Sequence, residues 1–183
     1  MPSDETARVL EALKAGHAAV FPTDTVYGLG VAVNYAGSPR EVSDLKHRDP
    51  SKPIAWLIAD ARDLDRYGVD VSDEARRRAR EGWPGALTII VKASGEVPPA
   101  YRSPQGTIGL RVPANETALA LIREVGPIAA SSANLAGQPT PLSFAEIIPE
   151  IASKVAAIKD DAAVQGAPST VIDFTQEPPK LLR

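Results

Sequence analysis

The sequence predicts an α/β protein built on a mixed sheet, and three observations carry that reading. Short apolar runs alternate with capped, amphipathic stretches from Ala18 onward, the pattern of α/β folds. The strand-like runs Val155–Lys159, Ser169–Phe174 and Lys180–Leu182 cluster late in the chain, which favours a mixed over an all-parallel sheet. Polar side chains gather where strand-like runs end: Thr23, Asp24 and Thr25; Ser131, Ser132 and Asn134; Ser169 and Thr170. Open α/β sheets form their binding crevices at strand ends.

Each element follows from its local sequence. Ser3 reads as an N-cap with Asp4 and Glu5 in the first turn, placed to satisfy and neutralise a helix start. Ala7, Leu10, Ala12 and Leu13 form its apolar stripe, and Gly16 stops it. Ala18–Phe21 reads as a strand that Pro22 ends, since proline has no N–H to donate. Leu29–Val33 is a second strand-like run. Ser38 and Pro39 suit N-cap and N1 of a helix reaching Leu45 or Lys46. Ile54–Ala59 reads as a buried strand, Asp60–Tyr67 as a short helix, and Ser72 as the cap of a helix to about Glu81. The arginines at 76, 77, 78 and 80 follow Asp73 and Glu74 and read as a solvated helix face. Trp83-Pro84-Gly85 breaks the chain before the strand Leu87–Lys92, and Ser94–Gln105 is a proline-rich loop. In the strand Thr107–Val112, the residues Thr107, Gly109 and Arg111 share one face and Ile108, Leu110 and Val112 the other, so Arg111 lies on the non-core face. Asn115 caps a helix with Leu119, Ile122 and Val125 buried, closed by Gly126-Pro127. Ile128–Ala130 is a strand, 135–141 a loop, and Ser143–Ile151 a helix interrupted at Pro149.

The 183 residues read as one domain, 1–183, with 44% hydrophobic and 23% charged residues, ordinary for a globular protein. With no cysteine and only two histidines, disulfide scaffolds, cysteine nucleophiles and cysteine–zinc sites are excluded. A net charge of −3 and 5% aromatic residues argue against a dedicated nucleic-acid surface. The polar, acidic start from Met1 to Glu11 has no signal-peptide core, and no run approaches the roughly 20 residues that span a bilayer. A cytoplasmic protein without a membrane partner is expected.

The segment Lys46-His47-Arg48-Asp49-Pro50-Ser51-Lys52-Pro53 carries three cations between a predicted helix end and two prolines. They either dress the helix C-terminus or, on an extended segment where residues two apart face the same way, they meet a polyanion such as a triphosphate. No phosphate loop of the Walker type, no complete dinucleotide-binding glycine motif and no G-x-S-x-G is present. Hydroxyls, an amide and fixed cations at strand ends suit a nucleotide or phosphorylated ligand. Positioning and charge neutralisation, rather than covalent catalysis, are therefore the expected chemistry.

Pro22-Thr23-Asp24-Thr25-Val26-Tyr27-Gly28-Leu29, then Lys46-x-Arg48 with Pro53 five residues on, then Ser132-x-Asn134, together resemble the YrdC-like threonylcarbamoyl-AMP synthases, from the first strand to Arg183. The resemblance implies a twisted open mixed sheet with flanking helices around a deep cavity. It also implies a reaction in which L-threonine, bicarbonate and ATP give threonylcarbamoyl-AMP and pyrophosphate. Magnesium would accompany ATP, held largely by phosphates and water, so no metal-ligand motif need appear. A separate tRNA threonylcarbamoyl transferase complex would be the downstream partner, with at most weak contact to tRNA. By position, Thr25, Arg111, the Ala130 backbone and Ser169 would bind threonine. Lys46, Arg48, Lys52, Thr107, Ser132, Asn134, Thr140 and Arg183 would bind ATP, with Lys46 and Arg48 also lowering the barrier.

The sequence departs from the family pattern at four places. Asp24 stands where Glu is more frequent, Asp49 follows Arg48 where Pro is usual, and Leu57 replaces a histidine that some members place against threonine. The chain also ends at Arg183, resembling the short, single-domain type. Two other readings compete, an RNA-binding module without catalysis and a carbamoyl-adenylate-forming domain like that of the hydrogenase-maturation carbamoyltransferases.

Overall fold

The computed structural model describes residues 3–183; Met1 and Pro2, part of the polar start, lie outside the described residues. In chain order the elements are α1 (Asp4–Lys14), β1 (Ala19–Phe21), β2 (Gly28–Ala32), α2 (Arg40–Leu45), β3 (Trp56–Leu57), α3 (Asp63–Tyr67), β4 (Gly68–Val69), α4 (Asp73–Gly82), β5 (Leu87–Ala93), β6 (Thr107–Arg111), α5 (Glu116–Val125), β7 (Ile128–Ser132), α6 (Pro149–Ala152), β8 (Ala156–Ala157), β9 (Thr170–Asp173) and β10 (Lys180–Leu181). One-turn 3₁₀ helices occupy Pro99–Tyr101, Phe144–Glu146 and Asp161–Ala163.

The strands form one open mixed sheet in the order β10-β9-β5-β6-β3-β7-β2-β1-β8, with β4 also paired to β5. The pairs β1–β8, β3–β6 and β5–β9 are parallel, and the others antiparallel. Three predicted caps form as read. Ser3, Ser72 and Asn115 accept the N–H groups of Thr6, Ala75 and Ala118.

Several boundaries differ from the sequence reading, each for a local reason. Ser38 stands one residue too early to cap α2. Pro39 takes the N-cap position, and Ser38 Oγ accepts only the Arg40 N–H. The run Ile54–Ala59 pairs as strand only at Trp56–Leu57, and single bonds from Ala130 N–H to Ala55 O and from Ile58 N–H to Arg111 O continue the extended path. Asp60 folds a turn by accepting the Arg62 N–H at 2.8 Å, which delays α3 to Asp63. Ser143–Ile151 splits at Ile148, held extended (ψ 146°) before Pro149, as proline demands of its predecessor. The Ile128–Ala130 strand runs on to Ser132, and Gly68–Val69 pairs with β5 although no periodicity announced it.

The two sheet faces are covered differently. Val20, Leu29, Val31, Trp56, Ile89, Val91, Ile108 and Leu110 pack one face, with Val42 of α2, Leu64 and Tyr67 of α3, and Ala75 and Ala79 of α4. On the other face α1 and α5 bring Val9, Leu13, Leu121, Ile122 and Val125 onto Ala19, Phe21, Leu57 and Ile128. Burying each large aliphatic side chain there contributes about 1.5–3 kcal/mol. These two helices cover only part of that face. Its remainder carries Gly28, Ala55, Thr88, Gly109, Arg111, Ala130 and Ser132, and opens into a cavity of about 580 Å³. Small residues make this room. A β-carbon at Gly109 would meet Ala55 Cβ at 3.2 Å and Thr88 Cγ2 at 3.3 Å. No helix among the described residues is long and apolar enough to cross a membrane.

Candidate active site

After Pro22 the chain folds around one hydroxyl. Thr23 Oγ1 accepts the N–H groups of Thr25 and Val26, both at 3.2 Å, and donates to the Val26 carbonyl at 2.6 Å. Its proton being committed, the Thr25 hydroxyl donates to it at 3.0 Å and in turn accepts from Arg111 Nη1 at 3.0 Å. Arg111 also donates through Nη2 to Asp24 Oδ1 and through Nε to the Gly85 carbonyl. The guanidinium is buried, 6% exposed as a residue. Burial lowers its pKa, and Asp24 acts in the opposite direction. Arginine keeps its charge throughout the ordinary pH range. Three of its five N–H donors are engaged here, which leaves one on each terminal nitrogen. The sequence placed Arg111 on the non-core face, and it lies on that face in the cavity wall with Thr107 and Gly109.

The basic segment is not the extended segment that one of the two sequence readings offered. Helix α2 ends at Leu45 with Lys46 as its C-cap in helical conformation. His47 follows with φ 51°. The Arg48 N–H reaches back to Ser43 O at 2.9 Å and the His47 N–H to Asp44 O at 3.2 Å, the pair of bonds of a Schellman motif. The left-handed residue reverses the chain, and this reversal, not β-periodicity, turns Lys46 and Arg48 into one cavity. His47 also holds Glu150 at 2.7 Å. A left-handed conformation is tolerated worst by β-branched side chains. His47→Val should therefore cost about 1–2 kcal/mol, read as a lower urea midpoint, while His47→Gly stays within about 1 kcal/mol of the parent.

Lys46 is buried, at 2% exposure, and not on an exposed loop. Its Nζ donates to the carbonyls of Ser132 and Asn134, and its own carbonyl accepts the Ala136 N–H at 2.8 Å. It thus ties α2 to the turn after β7 rather than capping its own helix. Burial, reinforced by the Arg48 cation, pulls its pKa down to about 8. Arg48 is half-buried and donates through Nη2 to the Pro53 carbonyl at 3.1 Å, and burial lowers its pKa. Asp49, the unexpected residue after Arg48, accepts the N–H and O–H of Ser51 at 2.9 and 2.8 Å and so makes the turn that carries exposed Lys52 to the rim.

Beyond β7, Asn134 Nδ2 donates to Leu135 O at 3.0 Å and Gln138 O at 2.9 Å, holding the loop that brings Thr140 to the cavity. Among the described residues two buried polar atoms here find no partner, the donor Arg48 Nε and the acceptor Asn134 Oδ1. Buried polar groups are almost always paired, so these two mark places for a ligand acceptor and a ligand donor. At the far side, Ser169 Oγ lies 2.9 Å from Thr88 Oγ1, and Arg183 donates to the Ser169 carbonyl at 2.8 Å and its hydroxyl at 3.2 Å. Thr107 Oγ1 lies 2.6 Å from Ser103 Oγ.

The twelve residues to which the family resemblance gave a binding role line one cavity: Thr25, Lys46, Arg48, Lys52, Thr107, Arg111, Ala130, Ser132, Asn134, Thr140, Ser169 and Arg183. Of the other polar residues noted at strand ends, Thr23 and Ser131 line it too, and Asp24 and exposed Thr170 do not. Sequence reasoning missed Thr88. Its signal was available, since Leu87, Ile89 and Val91 are the core face of β5 and Thr88 must point the other way. Asp24 was noted as a motif residue but not as the partner of Arg111.

The Sua5/YciO/YrdC family model, described as "Telomere recombination", matches residues 11–183. A threonylcarbamoyl-AMP synthase of Pyrococcus abyssi is 36% identical over 93% of this chain and 51% of its own length. A putative threonylcarbamoyl-AMP synthase of Mycobacterium tuberculosis is 34% identical over 94% of this chain and 80% of its own length. Among solved structures, P. abyssi Sua5 complexed with L-threonine superposes with a TM-score of 0.90 at 34% identity, over all of this chain and 55% of that one. Escherichia coli YciO superposes with a TM-score of 0.81 at 29% identity, over 97% of this chain and 87% of that one. The chain thus spans about half the length of its Pyrococcus relative.

Proposed function

The chain belongs to the Sua5/YciO/YrdC family, and from that membership we propose that it joins L-threonine, bicarbonate and ATP into threonylcarbamoyl-AMP, releasing pyrophosphate. The observation that carries this reading is the single cavity in which buried Arg111 and the cations Lys46 and Arg48 face the same space.

In this reading the threonine carboxylate takes the two free N–H groups of Arg111, beside Thr25 and Ser169. The amine, held toward the centre, attacks the carbon of bicarbonate, a C–O bond breaks, and water leaves to give an N-carboxylate. That carboxylate attacks the α-phosphate of ATP, and the bond to pyrophosphate breaks. Negative charge grows on the departing phosphates, where a fixed cation stabilises the transition state more than the ground state. Arg48 Nε and the third donor of Lys46 are the groups for that task. Asn134 Oδ1 accepts from a nucleotide N–H or O–H, with Thr107, Thr140, Ser132, Lys52 and Arg183 completing the nucleotide contacts. Magnesium enters with ATP as part of the substrate, coordinated by phosphates and water. The product is a reactive mixed anhydride, and a separate transferase complex would pass its threonylcarbamoyl group to the tRNA adenosine beside the anticodon. The cytoplasm is the proposed setting, with tRNA contact weak at a net charge of −3.

The test is pyrophosphate release by the purified protein with ATP, magnesium, bicarbonate and L-threonine, each omitted in turn. Release that requires both threonine and bicarbonate supports the reading. Release indifferent to threonine, or dependent on carbamoyl phosphate instead, overturns it. A pH dependence follows from Lys46. With a pKa of about 8 in the free protein, its cation is lost as pH rises through that value. At saturating threonine, kcat/KM for ATP should fall above about pH 8, because that ratio reports the groups of the enzyme form that meets ATP, in which Lys46 still awaits the phosphates. A ratio that stays flat from about pH 7 to 9.5 would exclude a required Lys46 cation.

A further inference from the structure

Between β8 and β9 the chain runs as a strap, from Ile158 to Ser169, over the loop that holds Thr23 and Thr25. Most of its side chains are exposed, with only Ile158 and Ser169 buried at its two ends. Apolar packing holds it only at Ile158 and at half-buried Val164, and polar contacts hold the stretch between and beyond. Tyr27, fully buried, donates its hydroxyl proton to Asp161 Oδ1 at 2.7 Å and accepts the Asp160 N–H at 2.8 Å. The same Asp161 oxygen accepts the Phe144 N–H at 2.7 Å, and the Phe144 ring meets the Tyr27 ring edge-on at 6.0 Å. Further along, the Gly166 N–H donates to the Thr25 carbonyl at 2.8 Å. The strap then delivers Pro168 and Ser169 to the cavity wall.

We propose that Tyr27 and Asp161 are positioning residues for the amino-acid end of the cavity: their hydrogen bond clips the strap to the Thr23–Thr25 loop, so that Ser169 and Thr25 face the bound substrate at a fixed separation. The inference rests on the threonine reading above. Tyr27 sits two residues from Thr25 and Asp161 eight from Ser169, so the clip joins two walls of the cavity through bonds that touch neither ligand. A phenylalanine would fill the buried ring site equally well, and the hydroxyl is what the clip requires. The pair exists as phenol and carboxylate. Burial raises the Tyr27 pKa, with Asp161 adding to the effect, and the Tyr27 hydrogen bond lowers that of Asp161.

The experiment compares Tyr27→Phe, Asp161→Ala, Asp161→Asn and the Tyr27→Phe/Asp161→Ala double variant with the parent. Two readouts are taken: amide hydrogen exchange of the strap in the free protein, and steady-state pyrophosphate release with threonine and ATP varied separately. Loss of a hydrogen bond to a charged group should speed exchange at the Asp160 and Gly166 amides by about tenfold or more. The half-saturating threonine concentration should rise by about tenfold, with kcat and the half-saturating ATP concentration each changing less than about threefold. Asp161→Asn keeps an acceptor oxygen and should restore most of both. The two residues share the Tyr27–Asp161 bond, and each single variant also loses one bond of its own, Asp160 N–H to Tyr27 or Phe144 N–H to Asp161, so the double variant should lose less than the sum of the two singles. Unchanged exchange, or a shift confined to ATP or to kcat, overturns the proposal. Asp161 is exposed, so its variants probe the clip without a cavity in the core. Failure of the functional reading shows in the parent protein as release that does not need threonine; failure of the clip shows only in the variants.

Discussion

Lys46→Ala is expected to lower the rate of pyrophosphate release by about 10²–10³-fold at saturating substrates, the effect of removing one donor from a charge-stabilising site. The side chain does two things at once. In the proposed reaction it offers a cation to the phosphates, and in the structure it holds the Ser132 and Asn134 carbonyls. Removing it leaves those carbonyls without that donor, at about 1–3 kcal/mol for each that stays buried and unpaired. Because the residue is buried, the variant should also unfold at lower urea. A normal rate in Lys46→Ala would remove the residue from the chemistry. A slow variant with parental stability would show that the carbonyl contacts contribute nothing to the fold.

Arg111→Ala should raise the half-saturating threonine concentration by about 100-fold or more, since a buried carboxylate without its cation loses on the order of 3–5 kcal/mol. The apparent affinity for ATP should change far less. The same substitution strands Asp24, whose side chain is only 11% exposed. The variant should therefore lose about 3–5 kcal/mol of stability as well. Adding Asp24→Asn should return part of that stability without returning threonine affinity, which separates the structural partner from the substrate partner. If ATP affinity fell and threonine affinity did not, the division of the cavity would be wrong.

Much of this site was legible because its parts obey simple local rules. The alternation of Thr107, Gly109 and Arg111 against Ile108 and Leu110 needed only the two-residue period of a strand, and the caps at Ser3, Ser72 and Asn115 needed only their side-chain oxygens. The conformation of Lys46-His47-Arg48 was not legible. A Schellman turn favours glycine at its left-handed position, and histidine gives no such signal. The lengths of β3 and β8 were equally hidden. An apolar run shows that a segment is buried, but the neighbouring strands decide how many residues pair. The Asp24–Arg111 and Tyr27–Asp161 contacts join residues far apart in sequence, and composition carries no trace of such pairings, whereas Thr88 was open to the same two-residue period. The likeness to a known family supplied the roles, and the residues supplied the placement.

The parallel pairings have a consequence for how the protein comes into being. They join Ala19 to Ala156 and Leu87 to Thr170, so the sheet closes only when chain made late meets chain made early. Contacts this distant slow folding, because loop entropy is lost before the contacts compensate it. Ser169 lies just ahead of the last of those pairings. On the ribosome the emerging polypeptide can therefore shape helices and the central hairpin well before it can hold a substrate. Catalytic competence should appear abruptly, after synthesis has passed β9, and the onset of threonine binding in a refolding experiment would time the final docking event.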